Sequence, residues 1–192
     1  MYTVRYNVQD AADNNAVEVT RTVTVQDTGI PAIALTGNAS VTVECKGAYT
    51  DAEATASDSC GGDLSSSIVT TNPVNTDTPG VYTVRYNVSD MTGNSAVEVT
   101  RTVTVKDTSL PVITLLGDTE VTVDCGTSYV DAGVVAVDDC DGSLTAVVIS
   151  TVADVNTNIQ GVYLVTYNVS DASGNSAEHV TQIGRASCRE RV

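Results

Sequence analysis

Apolar and polar residues alternate along several short segments of the chain. In YTVRYNVS at 82–89, every second residue is apolar, and this period of two predicts a β-strand with one buried and one solvent-facing side. After a turn rich in Asp, Gly and Asn the alternation resumes from Val97 to Val105. Arg101 interrupts the apolar side of that segment, and we expect its stem to lie along the sheet edge with the charge in water. Other short strands are predicted at 31–35, 40–45 and 65–71.

This pattern recurs with a period of 80 residues. The segment at 2–28 returns at 82–108, and again, one residue later than the period, at 163–181. A repeat of this length indicates one small domain used several times. Residues 1–26 are then a partial repeat (the final β-hairpin of a sandwich), 27–106 a complete domain, and 107–182 a domain that lacks most of its last strand. Short strands at this density predict an all-β fold of tandem immunoglobulin-like β-sandwiches in an elongated array.

The repeat is interrupted at both ends, and we expect the chain to be part of a longer array. The last ten residues, IGRASCRERV at 183–192, do not continue the repeat and resemble a translated sequencing adapter. They include the odd cysteine, Cys188. Excluding them from the fold leaves the last sandwich with an open sheet edge. The alternative is a genuine basic tail with a free thiol.

Charge and composition narrow the function classes. The net charge is −15 at pH 7, and such an acidic surface repels nucleic acid and anionic membranes while favouring divalent cations. No apolar run approaches the roughly 20 residues of a membrane span. The single histidine, His179, has Glu98 as its equivalent in the preceding repeat, and no nucleophile, base and orienting group recur together. The sequence therefore predicts a protein that is not an enzyme.

Four cysteines recur with the repeat. Cys45 and Cys60 are 15 positions apart, as are Cys125 and Cys140, and the two pairs are 80 apart. The pattern predicts one disulfide within each of the two larger units, worth roughly 3 kcal/mol for a loop of this size. Disulfides in turn indicate an oxidising, extracytoplasmic environment. Zinc is the competing interpretation, but it needs about four soft or imidazole ligands, and no histidine recurs with these cysteines.

Aspartates recur at the joints between units, in the hairpin turns and in the loops. Calcium prefers about six to eight oxygen ligands, so carboxylates from these places would suit it if they converge where two units meet. The candidate ligands are Asp27, Asp51, Asp58, Asp90, Asp107, Asp131, Asp138 and Asp171. Their spacing matches no EF-hand loop, and a solvated acidic surface is the alternative. Calcium is the only cofactor that the sequence indicates.

Three sequons for N-linked glycosylation are present, at Asn38, Asn87 and Asn168. The alternation places Asn87 and Asn168 on the solvent-facing side of their strands, where a glycan is sterically allowed. Chance occurrence is the alternative, because Asn, Ser and Thr are abundant in this chain.

Three elements carry a resemblance to a known family. They are the joint DTxxP, the strand GxYxVxY and the turn DxxGN, seen together in DTSLPVITLLGDTEVTVDCGTSYVDAG at 107–133 and GVYLVTYNVSDASGNSA at 161–177. Residues 1–182 resemble the bacterial immunoglobulin-like repeat found in tandem in secreted and cell-surface proteins, and are also similar to the hyalin repeat of extracellular adhesion proteins. The resemblance implies an extracellular or cell-surface location and a role as stalk, spacer or adhesive module, and it implies no catalytic residue.

Two function classes remain. The first is a structural protein whose repeats build a stalk or a head-to-tail filament. Its joints are either covalent, within a longer array, or made by the spare strands at 2–9 and 16–25 adding to the open edge of a neighbouring copy. The second is an adhesin or a carbohydrate-binding surface module. The absence of Trp and the predicted burial of the Tyr side chains argue against sugar binding. Copies of the chain itself are therefore the expected partners, with glycans second and nucleic acid excluded.

Overall fold

A computed structural model gives the fold and describes residues 1–152 and 155–187. Over this part of the chain it is all-β, with sixteen strands and two short 3-10 helices, Ser65–Ser67 and Thr145–Val147. The strands are β1 (Tyr2–Tyr6), β2 (Val19–Val23), β3 (Ala32–Leu35), β4 (Ser40–Glu44), β5 (Ala54–Asp58), β6 (Gly62–Asp63), β7 (Val69–Thr71), β8 (Gly80–Asn87), β9 (Val99–Lys106), β10 (Val112–Leu115), β11 (Glu120–Asp124), β12 (Val134–Asp138), β13 (Gly142–Ser143), β14 (Ile149–Val152), β15 (Gly161–Asn168) and β16 (Val180–Ser187).

The middle and the last repeat contain the same pair of sheets. In the middle repeat one sheet has the order β3-β5-β6 and the other β4-β9-β8-β7. In the last repeat the corresponding orders are β10-β12-β13 and β11-β16-β15-β14. In both repeats an early strand, β4 or β11, runs parallel to the final strand, β9 or β16. The predicted tandem immunoglobulin-like β-sandwich is confirmed by this repeated topology.

Buried and exposed residues alternate along the strands, which gives each sheet one apolar face that packs in the sandwich. In β8, Val84 and Tyr86 are fully buried while the residues between and after them face solvent. Val165 and Tyr167 hold the equivalent places in β15 and pack against Ile113 of the opposite sheet. The two sheets of the last repeat therefore enclose one apolar core, as facing sheets of a sandwich do.

By internal contacts the chain divides into two compact units. The first consists of Met1–Ala39, Ala52–Asn72 and Arg85–Arg101, and the second of Ser40–Asp51, Pro73–Val84 and the described residues from Thr102 onward. Each unit has a buried apolar cluster of its own. This division assigns parts of the middle repeat to both units, so the domain boundaries that the repeat predicts, 26/27 and 106/107, stay predictions.

The hairpin β1–β2 is a two-stranded sheet whose side chains are all exposed. Tyr6 is 50% exposed, whereas its equivalent Tyr86 is fully buried. Val25, just beyond β2, is 70% exposed, whereas its equivalent Val105 is 2% exposed. Within the described residues, the hairpin therefore presents the apolar pattern of a core face without a covering sheet.

The last strand continues through the expected break in the repeat. β16 ends at Ser187, and so includes the first five residues of the segment 183–192. It pairs with β15 and β11 and closes the sheet, so the predicted open edge is wrong. The strand still fits because Gly184 and Ala186 occupy the buried positions that Val103 and Val105 hold in β9. Residues 188–192, with Cys188, lie outside the described part of the chain.

The Arg101 side chain is only 1% exposed, so the prediction that its charge lies in water is wrong. Its Nε donates to the carbonyl oxygen of Asn38 at 3.0 Å, and Nη2 donates to the carbonyl oxygens of Thr36 and, at 3.2 Å, Glu53. Nη1 donates to the Tyr86 hydroxyl at 3.0 Å, and the guanidinium carbon lies 5.7 Å from the centre of that ring. Oxygen atoms replace water around the charge, which is what a buried cation requires.

In the last repeat Gln182 occupies the place of Arg101. Its Nε2 donates to the carbonyl oxygen of Asp118 at 2.7 Å, and its Oε1 accepts a hydrogen bond from the Tyr129 hydroxyl at 2.6 Å. The side chain is 2% exposed. A neutral amide thus preserves one of the carbonyl contacts that the guanidinium makes in the middle repeat.

Candidate functional site

Six of the eight predicted calcium ligands converge in two triplets. In each triplet one carboxylate oxygen from every member lies within 4.8 Å of the others. The first triplet is Asp27, Asp58 and Asp90, and the second is Asp107, Asp138 and Asp171. Each combines an aspartate from a joint, one from the end of β5 or β12, and one from the turn of a hairpin. The repeat therefore builds the same group of carboxylates twice, once within each compact unit.

The turn aspartate is fixed by an asparagine four residues later. Asp171 Oδ1 accepts the Asn175 backbone N–H, and its Oδ2 accepts the Asn175 side-chain amide, both at 2.7 Å. The same amide donates to the carbonyl oxygen of Asp107 at 3.2 Å. Gly174 has a φ of 92°, the left-handed conformation that this turn requires. Sequence reasoning recognised the turn but missed that Asn175 joins it to the next member of the triplet.

Hydrogen bonds keep the turn aspartates ionised. Burial works to raise the pKa of Asp90, but hydrogen bonds from Asn94 and Thr92 outweigh it and hold that pKa at about 2. Burial also opposes ionisation of Asp171, and hydrogen bonds led by those of Asn175 again hold the pKa below its usual value.

The pKa of Asp107 shifts in the opposite direction from the pKa values of the turn aspartates. Burial raises its pKa above the usual value, the Ser109 amide offsets part of that rise, and the negative charges of Asp138 and Asp171 add to it. The second triplet therefore places the Asp138 and Asp171 carboxylates close enough to disfavour ionisation of Asp107.

Two oxygens of the second triplet are buried without a hydrogen-bond partner in the described structure. Asp107 Oδ1 accepts the Ser109 N–H at 3.1 Å, and Asp138 Oδ1 accepts the N–H groups of Cys140 at 2.7 Å and Asp141 at 3.0 Å. The remaining oxygens, Oδ2 of Asp107 and Oδ2 of Asp138, have no partner. Both residues are 7% exposed. Burying a carboxylate oxygen without a hydrogen-bond partner costs folding free energy. These two oxygens are therefore available to coordinate a ligand.

Asp51 and Asp131, the other two predicted ligands, belong to neither triplet. Asp51 Oδ1 accepts the Tyr49 hydroxyl at 3.2 Å. Asp131 Oδ1 accepts the Gly133 N–H at 2.9 Å, and its Oδ2 accepts the Tyr167 hydroxyl. Burial raises the pKa of Tyr167, and the bond to Asp131 raises it further. These two aspartates stabilise local structure by accepting hydrogen bonds from Tyr hydroxyls.

The cysteines pair differently from the prediction. Cys45 is joined to Cys140, with their Cα atoms 5.7 Å apart, and Cys60 is an exposed free thiol. Cys125 is also disulfide-bonded. The predicted Cys45–Cys60 and Cys125–Cys140 pairs are therefore wrong. The reason is that recurring spacing fits pairing within a repeat and pairing between successive repeats equally well.

The three predicted glycosylation sites all have exposed side chains, at Asn38, Asn87 and Asn168. The Asn87 amide donates to Glu98 at 3.1 Å, and Glu98 also accepts from Arg85. A glycan on Asn87 would attach to the same nitrogen that donates to Glu98. Glycosylation stays a prediction at all three positions.

Repeated sandwiches of this topology, with their turn and joint chemistry, define a tandem immunoglobulin-like domain protein. Residues 33–105 and 113–183 each match the family described as bacterial surface protein, Ig-like domain, and the chain belongs to that family. The family resemblance inferred from the sequence is thereby confirmed. The family is one of immunoglobulin-like surface domains rather than of catalytic domains. Within the described residues, no helix is both long and apolar enough to span a bilayer.

Among curated proteins, none matches the chain. Two solved structures show partial similarity to the chain. One holds the M60 catalytic domain with the CBM51-1 and CBM51-2 domains from Clostridium perfringens ZmpB, at 13% identity and a TM-score of 0.40, covering 96% of this chain and 33% of that one. The other is a lipoprotein from Bacteroides thetaiotaomicron, at 14% identity and a TM-score of 0.37, covering 80% of this chain and 100% of that one. The chain thus spans about a third of the length of the first structure.

Proposed function

We propose that the chain is a structural component of an extracellular or cell-surface assembly, in which tandem immunoglobulin-like repeats build a stalk or a head-to-tail filament. Membership of a family of bacterial surface domains supports the location. Two successive repeats with the same sheet orders support a spacer role, because every added repeat extends the array with the same fold.

The observation that carries the proposal is the uncovered apolar face of the β1–β2 hairpin. The equivalent hairpin, β8–β9, buries that face in the core of its own repeat. We propose that the last sandwich of a second copy of the chain accepts the hairpin and covers this face. Because β16 closes that sandwich, the hairpin enters by replacing β15 and β16, which is a strand exchange.

Core composition favours the incoming hairpin over the resident strand. In β16 the buried positions hold Gly184 and Ala186, and the hairpin brings Val23 and Val25 to the equivalent places. A Cβ atom added at Gly184 would lie 3.9 Å or more from its nearest neighbours, so the site accepts a larger side chain. Each added buried methylene contributes about 0.8 kcal/mol, so the exchange gains apolar burial at both positions. A head-to-tail contact of this kind produces a filament when the rotation between successive copies does not close into a ring.

Carbohydrate binding is the competing role, and the hairpin is also where it would occur. Sugar-binding surfaces use exposed aromatic rings, and Tyr2 and Tyr6 are exposed. Their equivalents in the middle repeat are the partly buried Tyr82 and the fully buried Tyr86. The Tyr residues of the hairpin thus stand at positions that are partly or fully buried in the middle repeat. This supports a role in packing against another sheet rather than in stacking on a sugar.

Concentrating the purified protein is expected to produce linear assemblies, visible by negative-stain electron microscopy and as a concentration-dependent mass in light scattering. The double variant Gly184→Val, Ala186→Val is expected to stay monomeric, because its own last strand then fills the core as well as the incoming hairpin does. The variant Tyr6→Lys is also expected to stay monomeric, since it places a charge on the face to be buried.

The matched control is Val17→Lys, also in the amino-terminal hairpin. Val17 is 90% exposed, and its equivalent Val97 is exposed as well, so neither faces a core. This variant should assemble like the wild type. A wild-type protein that stays monomeric at all accessible concentrations would contradict the filament.

A further inference from the structure

We propose that Asp107, Asp138 and Asp171 together bind a divalent cation, and that the cation is calcium. The proposal concerns a site inside one compact unit and does not depend on how copies of the chain assemble.

Burial is the first reason to expect a ligand. All three side chains are buried, and one oxygen of each lies within 4.8 Å of the others. Three formal negative charges in so small a volume repel one another strongly when water is excluded. A bound divalent cation converts this repulsion into attraction.

The second and independent reason is the pair of unpartnered oxygens. Asp107 Oδ2 and Asp138 Oδ2 are buried and accept no hydrogen bond in the described structure, while the Oδ1 atoms of the same residues are held by backbone N–H groups. Each carboxylate is thus held through one oxygen, while its other oxygen is buried without a donor. A metal ion supplies the partner that these two oxygens lack.

The donor set selects the type of cation. Every ligand of the triplet is a carboxylate oxygen, which suits a hard cation rather than zinc or copper. A carboxylate oxygen of Asp141 also lies within 4.8 Å of one from Asp107, so a fourth acidic group borders the site. The nearby Cys140 sulfur is bonded to Cys45 and offers no thiolate. Calcium accepts irregular sets of oxygen ligands completed by carbonyl groups and water, whereas magnesium demands a near-octahedral set.

The equivalent triplet, Asp27, Asp58 and Asp90, supplies an internal comparison. Asp27 and Asp58 are only half-buried there. Exposed carboxylates gain less from a cation because water already solvates them. We therefore expect the triplet of Asp27, Asp58 and Asp90 to bind calcium more weakly than the triplet of Asp107, Asp138 and Asp171.

The test is calorimetric titration of calcium into chelator-treated protein, combined with thermal melting. We expect saturable binding and a rise in melting temperature on the order of 10 °C when free calcium is about 100 times the dissociation constant. The variant Asp138→Asn should lose the tighter binding event and most of the rise. Without calcium this variant should melt no lower than the wild type, because one of three repelling charges is gone while the amide oxygen can still accept the backbone N–H groups.

The control is Asp139→Asn, which makes the same charge change at the adjacent, exposed position. It should bind calcium like the wild type. If Asp138→Asn does not fold, Asp107→Asn tests the proposal instead, because it also removes one carboxylate ligand. It should likewise lose the tighter binding of calcium. Absence of calcium binding to the wild-type protein would overturn the proposal, as would equal losses in Asp138→Asn and Asp139→Asn. Magnesium binding as tight as calcium binding would overturn the choice of cation.

Discussion

Replacing Arg101 with methionine is expected to lower the free energy of unfolding by about 3–5 kcal/mol. The guanidinium satisfies three backbone carbonyl oxygens and one tyrosine hydroxyl in an almost fully buried place. Methionine has similar length and fills part of the space, but it donates no hydrogen bond. The Tyr86 hydroxyl and the carbonyl oxygens of Thr36 and Asn38 would then lose this donor, whereas the Glu53 carbonyl oxygen keeps the Thr36 N–H. Each unmet acceptor costs about 1–3 kcal/mol. Chemical denaturation followed by circular dichroism measures the change.

Two variants separate the loss of hydrogen bonds from the loss of side-chain volume and charge. Arg21→Met makes the same substitution at the equivalent position of the first hairpin, where the side chain is exposed, and it should change the stability by less than about 0.5 kcal/mol. Arg101→Gln introduces the residue found at Gln182 and should fall between the wild type and Arg101→Met, because an amide preserves a carbonyl contact. Equal stability of Arg101→Met and the wild type would contradict the importance of these bonds.

Removing the disulfide through Cys45→Ala and Cys140→Ala should destabilise the protein by about 4–5 kcal/mol. The bonded residues are separated by 95 positions in the sequence, and a disulfide that closes a long loop restricts the unfolded chain more than one that closes a short loop. Chemical denaturation of the double variant and of the wild type, both without a reducing agent, measures this contribution, because reduction would also break the disulfide of Cys125.

Peptide mapping under non-reducing conditions checks the pairing itself. A proteolytic fragment with Cys45 should be linked to one with Cys140 and released by reduction. Cys60→Ala removes the exposed free thiol and should leave both the linked fragment and the stability unchanged. A fragment that links Cys45 to Cys60 would contradict the pairing in the structure.

The strands could be predicted because their burial alternates strictly. Val84 and Tyr86 are both fully buried, and a period of two marks such residues without further information. The β16 strand was missed beyond Thr181, since Gly184 and Ala186 are too small to mark a core position in the sequence. Pairing with the strands on both sides, which a sequence does not reveal, keeps this segment in the sheet.

The carboxylate triplets were predictable in part. Their members lie where the repeat places joints, hairpin turns and strand ends, and these parts meet at one end of a sandwich. Asp131 lies in an equally acidic loop, but the Tyr167 hydroxyl holds its side chain elsewhere. Arg101 was misjudged for a similar reason, because carbonyl oxygens that approach from distant segments can solvate a charge as water does.

The Cys45–Cys140 disulfide has a mechanical consequence. If the ends of the chain are pulled, tension crosses the bond directly, and the segment between the two cysteines carries none of it. With 95 positions between the bonded residues, about 300 Å of extended chain stays out of reach of the force, at roughly 3.3–3.6 Å per residue. Oxidation therefore limits how far this part of the chain can stretch, and after reduction its length becomes available once the strands within it unfold.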